Sequence, residues 1–100
     1  MIKNGARLKS QVCDTQVIVV RAADSLDDLR AGGAAMVSID IAAGPGLAID
    51  PAFAGGNTLG KRYISDDGAE VLVTKAGDGT LSVAKKVLTL KEAKPLPASD

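Results

Sequence analysis

The chain has 100 residues, with twelve basic and twelve acidic side chains, no histidine, one cysteine, one Phe, one Tyr and no Trp. That length allows a single core. Its charge balance removes the electrostatic case for nucleic acid, an anionic membrane or a polyanionic substrate. A single thiol forms no internal disulfide, no apolar run reaches the ~18 residues of a spanning helix, and Met1–Ser10 is not followed by a signal-peptide core. A cytoplasmic protein is expected. Its core must be built from Val, Leu, Ile and Ala, which bury less area each than aromatic residues at roughly 25 cal/mol per Å². Modest stability alone, or pairing with a second copy, is the expectation.

In chain order, residues 1–9 read as a polar lead-in with two apolar residues, Ile2 and Leu8. Residues 11–21 read as a strand. Val17, Ile18, Val19 and Val20 are β-branched and apolar on both faces, as in a strand covered on both sides. Ahead of them, alternation puts Cys13 on the face of Val17 and Val19. In "ADSLDDLRAGG", Asp24 or Ser25 can cap one helical turn or start a turn, which Gly32-Gly33 ends. Residues 34–41 form a second short strand. Residues 42–56, "AAGPGLAIDPAFAGG", follow neither a helical nor a strand period. Irregular loops of that length tend to be functional, and this one, uncharged except for Asp50, is expected to lie against something.

From residue 57 the pattern sharpens. Residues 59–65 are a strand, Asp66–Ala69 a hairpin turn signalled by Asp67-Gly68, and residues 70–75 the return strand. "AGDGT" (76–80) is a further tight turn, and residues 81–90 are one bent strand or another hairpin. The expectation is a mainly β domain over residues 1–94. It holds five or six strands in a small barrel or sandwich, with a long irregular loop at about 42–56. Residues 95–100 form an extended tail.

Each motif has a plain reading. "GGNTLGKR" (55–62) matches the phosphate-cradling loop through Lys61, but Arg62 stands where Ser or Thr would bind magnesium. A β-prone stretch also follows where a helix should open. It reads as a glycine turn into a strand carrying a solvated Lys61-Arg62 pair. "GPG" (44–46) and "GDG" (77–79) are turns. Asp66, Asp67, Glu70 and Asp78 lack the oxygen count and loop spacing of a calcium site, so no metal and no cofactor is assigned. Without histidine no spacing picks out a catalytic pair. Lys85, Lys86, Lys91 and Lys94 read as guards of a sheet edge, since a nucleic-acid surface would add stacking aromatics beyond Tyr63 and Phe53. Cys13 cannot hold a structural zinc alone. It is a small packed residue, or a reactive thiol if cations from other strands lower its pKa.

The phrases "VCDTQVIVVRA", "LRAGGAAMV", "LGKRY" and "EVLVTKAGDGTLSV" together resemble a group of small bacterial proteins of about this length with no assigned function, over residues 5–97. The resemblance implies a second cysteine in relatives where Ala31 stands and a third at Val73. Cys13 would then be what remains of a two- or three-cysteine metal clip or thiol pair, provided that residues 13, 31 and 73 meet in the fold.

Two readings follow. The first is a non-catalytic binding or accessory module, homodimeric and acting on a protein partner. It would present the 42–56 loop, with Leu47, Ile49 and Phe53 exposed, or a strand edge. The second is an enzyme or small-molecule binder whose site is assembled by folding around Cys13 or the Lys61-Arg62 pair, marked by a concave pocket with one of them at its wall.

Overall fold

The computed structural model describes residues 2–44 and 46–91. Ten short strands make it mainly β. They are β1 (Arg7–Lys9), β2 (Gln16–Arg21), β3 (Leu29–Ala31), β4 (Ala34–Ala35), β5 (Val37–Ser38), β6 (Arg62–Ile64), β7 (Glu70–Lys75), β8 (Leu81–Val83), β9 (Lys86–Val87) and β10 (Thr89–Lys91). The larger sheet has the order β10-β6-β7-β2-β1-β5 and the smaller one β4-β3-β8-β9. Every pairing is antiparallel. The two sheets share one aliphatic core and do not close into a barrel. Short turns of 3-10 helix lie at Asp24–Asp28 and Pro51–Phe53. The expected tail, residues 95–100, lies outside the described residues.

Strands β7 and β6 stand where alternation and the Asp67-Gly68 turn put them, and Glu70–Lys75 matches residue for residue. The first half departs further. Its lead-in contains β1, which pairs with β2 through Leu8 and Val17. The strand expected over 11–21 begins only at Gln16, because Ser10–Thr15 is a turn, closed by the Ser10 N–H donating to the Thr15 carbonyl at 2.8 Å. Cys13 therefore sits in a turn, not on the Val17 face. The strand β2 is covered on one face: Val17 and Val19 are buried, while Val20 is 39% exposed. Gly32-Gly33 does not end a helix. It is the tip of the β3–β4 hairpin, with φ of 65° and 86°. The expected strand 34–41 is split at Met36, and residues 76–80 carry the chain from the larger sheet to the smaller one.

The two sheet orders read the same when β1–β5 are exchanged with β6–β10. The match extends to register. Leu8 faces Val17 and Ser38, as Tyr63 faces Val71 and Leu90. The Gly5 N–H donates to the Val19 carbonyl at 2.7 Å, and that of Gly60 to Val73 at 2.9 Å. Met36 N–H reaches the Leu29 carbonyl at 2.9 Å, and Leu88 N–H reaches Leu81 at 3.0 Å. At both places a buried apolar residue bends the chain from the smaller sheet into the larger. The Ile18–Leu72 and Arg30–Ser82 pairs, each joining equivalent residues, lie on the pseudo-two-fold axis. The fold is thus a tandem repeat of one five-strand unit. Val17, Val19 and Leu29 of the first unit meet Val71, Val73 and Leu81 of the second in one core.

Candidate functional site

Two concavities use chemistry-bearing residues, and they arise from equivalent hairpin tips. The first surrounds Cys13 in the β1–β2 turn. Ser10 Oγ accepts the Val12 and Cys13 N–H groups, each at 3.1 Å, which fixes the turn. Thr15, fully buried, places Oγ1 3.2 Å from Cys13 Sγ. Asn57 Nδ2 donates to the same Oγ1 at 2.7 Å. Asn57 Nδ2 also donates to the Gly79 carbonyl at 2.8 Å, and Asn57 Oδ1 accepts from Gly77 N–H at 3.3 Å. One amide thus ties the β7–β8 crossover to the β1–β2 turn.

The glycines here are demanded by close approach. A methyl on Gly79 would lie 2.6 Å from Gly32 N and 3.0 Å from Cys13 Sγ, and one on Gly77 would lie 2.6 Å from Thr15 N. Partial burial pushes the Cys13 thiol up. Hydrogen bonds from Ser10, Thr15 and the Gly79 backbone outweigh it and leave the pKa lowered. Val12, Cys13, Asp14, Ile49 and the 76–78 backbone line a depression of about 270 Å³.

The second concavity is a cleft of about 250 Å³ between the β6–β7 hairpin tip and the β8–β9 hairpin. Ile64, Val83, Val87 and Leu88 form its apolar wall, with Ser25, Ser65, Asp66, Asp67 and Lys86 at the rim. Ser25 Oγ donates to Asp67 Oδ1 at 2.6 Å, and Ser65 Oγ donates to the same oxygen. Ser25 N–H reaches Oδ2 at 3.0 Å. These donors, the Ser25 hydroxyl first, hold the Asp67 carboxyl down at about 2. All of them are neutral, so the aspartate charge is solvated by hydrogen bonds and not cancelled. Asp66 pairs with Lys86 across the mouth.

Of the residues singled out from sequence, Cys13 and Ile49 meet in the first concavity. Leu47 is 47% exposed, while Phe53 is half-buried with its carbonyl accepting from Thr80 N–H at 2.7 Å. Lys61 and Arg62 line neither concavity. Arg62 Nη1 donates to Glu70 Oε2 at 3.3 Å, and Lys91 Nζ donates to Oε1 of the same glutamate at 2.9 Å. Those contacts pin the outer strands of the larger sheet. Ala31 and Val73 are buried in the core. Gly32, next to Ala31, comes beside Cys13 at Gly79, and Val73 faces Val17 within the larger sheet.

Ser25, Asn57 and the Ser65–Asp67 tip were not foreseen as site residues. Asn57 and Ser25 act across 42 residues, on Thr15 and Asp67. The only local hint is a polar side chain beside a glycine pair or a turn. Among the described residues no three His, Cys, Asp or Glu side chains converge to hold a metal, and no helix is long and apolar enough to cross a membrane. Comparisons with protein-family models, with curated proteins and with solved structures find no match to this chain.

Proposed function

We propose that this domain is a non-catalytic binding module that engages a protein partner. The observation that carries the reading is the cleft beside β9. It has four aliphatic walls, a small set of oriented polar groups at its rim, and a volume suited to one or two side chains. Val87, on its wall, is 54% exposed. An aliphatic side chain left in water at a concave site contributes roughly 1.5–3 kcal/mol when a partner buries it. Self-association and a cytoplasmic location belong to the same proposal. They rest on the small aliphatic core and the single thiol.

The test is site-specific photo-crosslinking in cells of the native host, with a photoreactive residue at Val87, at Leu47, or at Asp40 as an exposed control. Light-dependent adducts from position 87 support the reading. Adducts from position 87 no more abundant than from the position 40 control would refute it. Native mass spectrometry of the same preparation reports the number of copies.

A second reading is favoured by one observation: Cys13, with its pKa lowered, lines a depression of its own. In this reading the depression binds a small electrophilic molecule through the thiol. Saturable protection of Cys13 from alkylation by a small-molecule library would support it. Uniform alkylation in the presence of every compound would remove it.

A further inference from the structure

The chain enters the larger sheet through a tight turn at Lys3–Ala6, closed by the Ala6 N–H donating to the Lys3 carbonyl at 3.1 Å. Gly5 has a φ of 83° while Asn4 keeps the ordinary negative φ, which makes the turn type II. The second unit builds the same turn at Thr58–Lys61. There the Lys61 N–H reaches the Thr58 carbonyl at 3.3 Å and Gly60 has a φ of 78°. Leu59 stands in the place of Asn4, so the turn itself does not require an asparagine. What Asn4 adds is a bond to the β2–β3 crossover, its Oδ1 accepting from the Ala22 N–H at 2.6 Å. It also sets an exposed amide side chain directly before a glycine.

An asparagine before glycine loses its amide readily, because no side chain shields the glycine nitrogen. The Gly5 nitrogen gives its proton to hydroxide and attacks Asn4 Cγ. The new N–Cγ bond closes a succinimide ring, the Cγ–Nδ2 bond breaks, and ammonia leaves with a proton taken from water. Water then opens the ring at either carbonyl, giving aspartate or isoaspartate at position 4.

The fold opposes each part of this step. Ring closure needs the Gly5 nitrogen to swing about the Asn4 Cα–C bond until it nearly eclipses Cβ. A type II turn, with ψ near +120° at its first central residue, holds it about 120° away. The Gly5 N–H is engaged by the Val19 carbonyl at 2.7 Å, and the Asn4 amide oxygen is held by Ala22. All three restraints end together when the turn leaves β2.

We propose that Asn4–Gly5 is a modification site held closed by the fold, whose amide is lost spontaneously to water only when the N-terminal turn opens. The isoaspartate product carries the backbone through Cβ and Cγ, one methylene longer, so Gly5 no longer meets Val19 in register. Because β1 lies between β2 and β5 in the larger sheet, the altered chain is less stable than the parent. The site is apart from both concavities, and the inference is independent of the binding-module reading.

The test follows intact mass and peptide maps of the full chain at mildly alkaline pH, folded and in denaturing urea, beside the peptide acetyl-IKNGAR-amide. The chain has two asparagines. Asn57, followed by threonine and bonded through its amide to Thr15, Gly77 and Gly79, is the internal control. The denatured chain should convert at the peptide's rate. The folded chain should convert about thirtyfold more slowly, the factor for two hydrogen bonds of ordinary strength. Urea well below the unfolding midpoint should already speed it, as local opening does. Ala22→Pro, which removes one of the two donors, should speed the folded chain about fivefold. Asn4→Gln should stop the conversion, since the longer side chain closes a larger ring more slowly.

A folded chain that converts as fast as the peptide overturns the proposal, and so does one that converts only through the global unfolding transition. Conversion of the folded chain at Asn57 in preference to Asn4 also overturns it. An isoaspartate form with the parent's urea midpoint would contradict the loss of the turn. Should Ala22→Pro lose its folded spectrum, the folded, low-urea and peptide rates of the parent chain make the same test without a variant.

Discussion

The tandem repeat makes a paired expectation at the β-hairpin tips, where Gly32 and Ala84 occupy the same position. Both have positive φ, 65° and 52°, and the N–H groups make equivalent bonds, Gly32 to the Thr80 carbonyl at 3.1 Å and Ala84 to Asp28 at 3.1 Å. In Gly32→Ala the new methyl lies 2.8 Å from Val12 Cγ2 and 2.9 Å from Ile49 Cγ1. The left-handed conformation costs about 1–2 kcal/mol for a residue with a Cβ, and overpacking against two side chains adds about 1–3. Reduced freedom of the unfolded chain returns roughly 0.5–1. The sum is a destabilisation of about 1–4 kcal/mol, centred on about 3. For Ala84→Gly the conformational strain is relieved and only the glycine entropy is lost, so stability should rise by about 0.5 kcal/mol. Urea unfolding decides the matter. With a slope near 1 kcal/mol per molar for so small a domain, Gly32→Ala should lower the midpoint by about 2 M or more, and Ala84→Gly should raise it slightly. A Gly32→Ala midpoint within ~1 M of the parent, or a lowered one for Ala84→Gly, would refute the argument from conformation and close approach.

Three further outcomes follow from the site geometry. Because the Asp67 carboxyl is held at about 2, below its ordinary 3.8, its stabilising contribution is complete above pH ~4 and disappears as the pH falls towards 2. Removing the first of its donors by Ser25→Ala should move the carboxyl titration, followed by ¹³C NMR, back towards the ordinary value; an unmoved titration would reject the serine account. Glu70→Gln should cost about 1 kcal/mol by losing its charge pairing with Arg62 and Lys91. Since the Glu70 carboxyl is lowered, the difference from the parent should shrink as the pH falls below the ordinary glutamate range, measured as urea midpoints from pH 7 to 3. Alkylation of Cys13 by iodoacetamide should show a midpoint below that of a free cysteine peptide, and Thr15→Val should raise it. A midpoint indifferent to Thr15→Val would mean that the 3.2 Å contact does not act on the thiol.

What the sequence makes legible is governed by length and by locality. Glu70–Lys75 is readable because six residues alternate between a glycine-containing turn and a charged end. The Asp67-Gly68 turn is local chemistry. Strands β1 and β3 have three residues each, too few for a period, and they form because β2 and β8 offer them partners. The repeat itself is faint in the sequence. "QVIVVR" against "EVLVTK" and "LRAGGAAMV" against "LSVAKKVLT" share apolar positions but few identities. Their spacing also drifts, because the second hairpin turn and the second crossover are shorter than the first. Cys13 drew attention as a lone thiol, yet alternation misplaced it, since nothing local reveals that Ser10 turns the chain before β2 begins. The Ser25–Asp67 and Asn57–Thr15 bonds join residues far apart in the chain, and they exist only once the crossovers have been folded over the hairpin tips.

The asymmetry between the two hairpin tips follows from how the halves are joined. In the larger sheet β5 lies at one outer edge, and β6 lies next to the other, four strands away. At about 4.8 Å per strand the connector must travel roughly 19 Å across the molecule, and it is tied to the first unit at Gly44 and Asp50. It meets the first unit at a neutral side chain, Gln11, whose Oε1 accepts from Gly44 N–H while its Nε2 donates to the Ala35 carbonyl of β4. Charges covered there would have had to be desolvated at a cost of several kcal/mol each. In the second half Asp66, Asp67 and Lys86 keep their charges at an exposed hairpin tip, where Asp66 pairs with Lys86 and the neutral donors of Ser25 and Ser65 orient the Asp67 carboxylate.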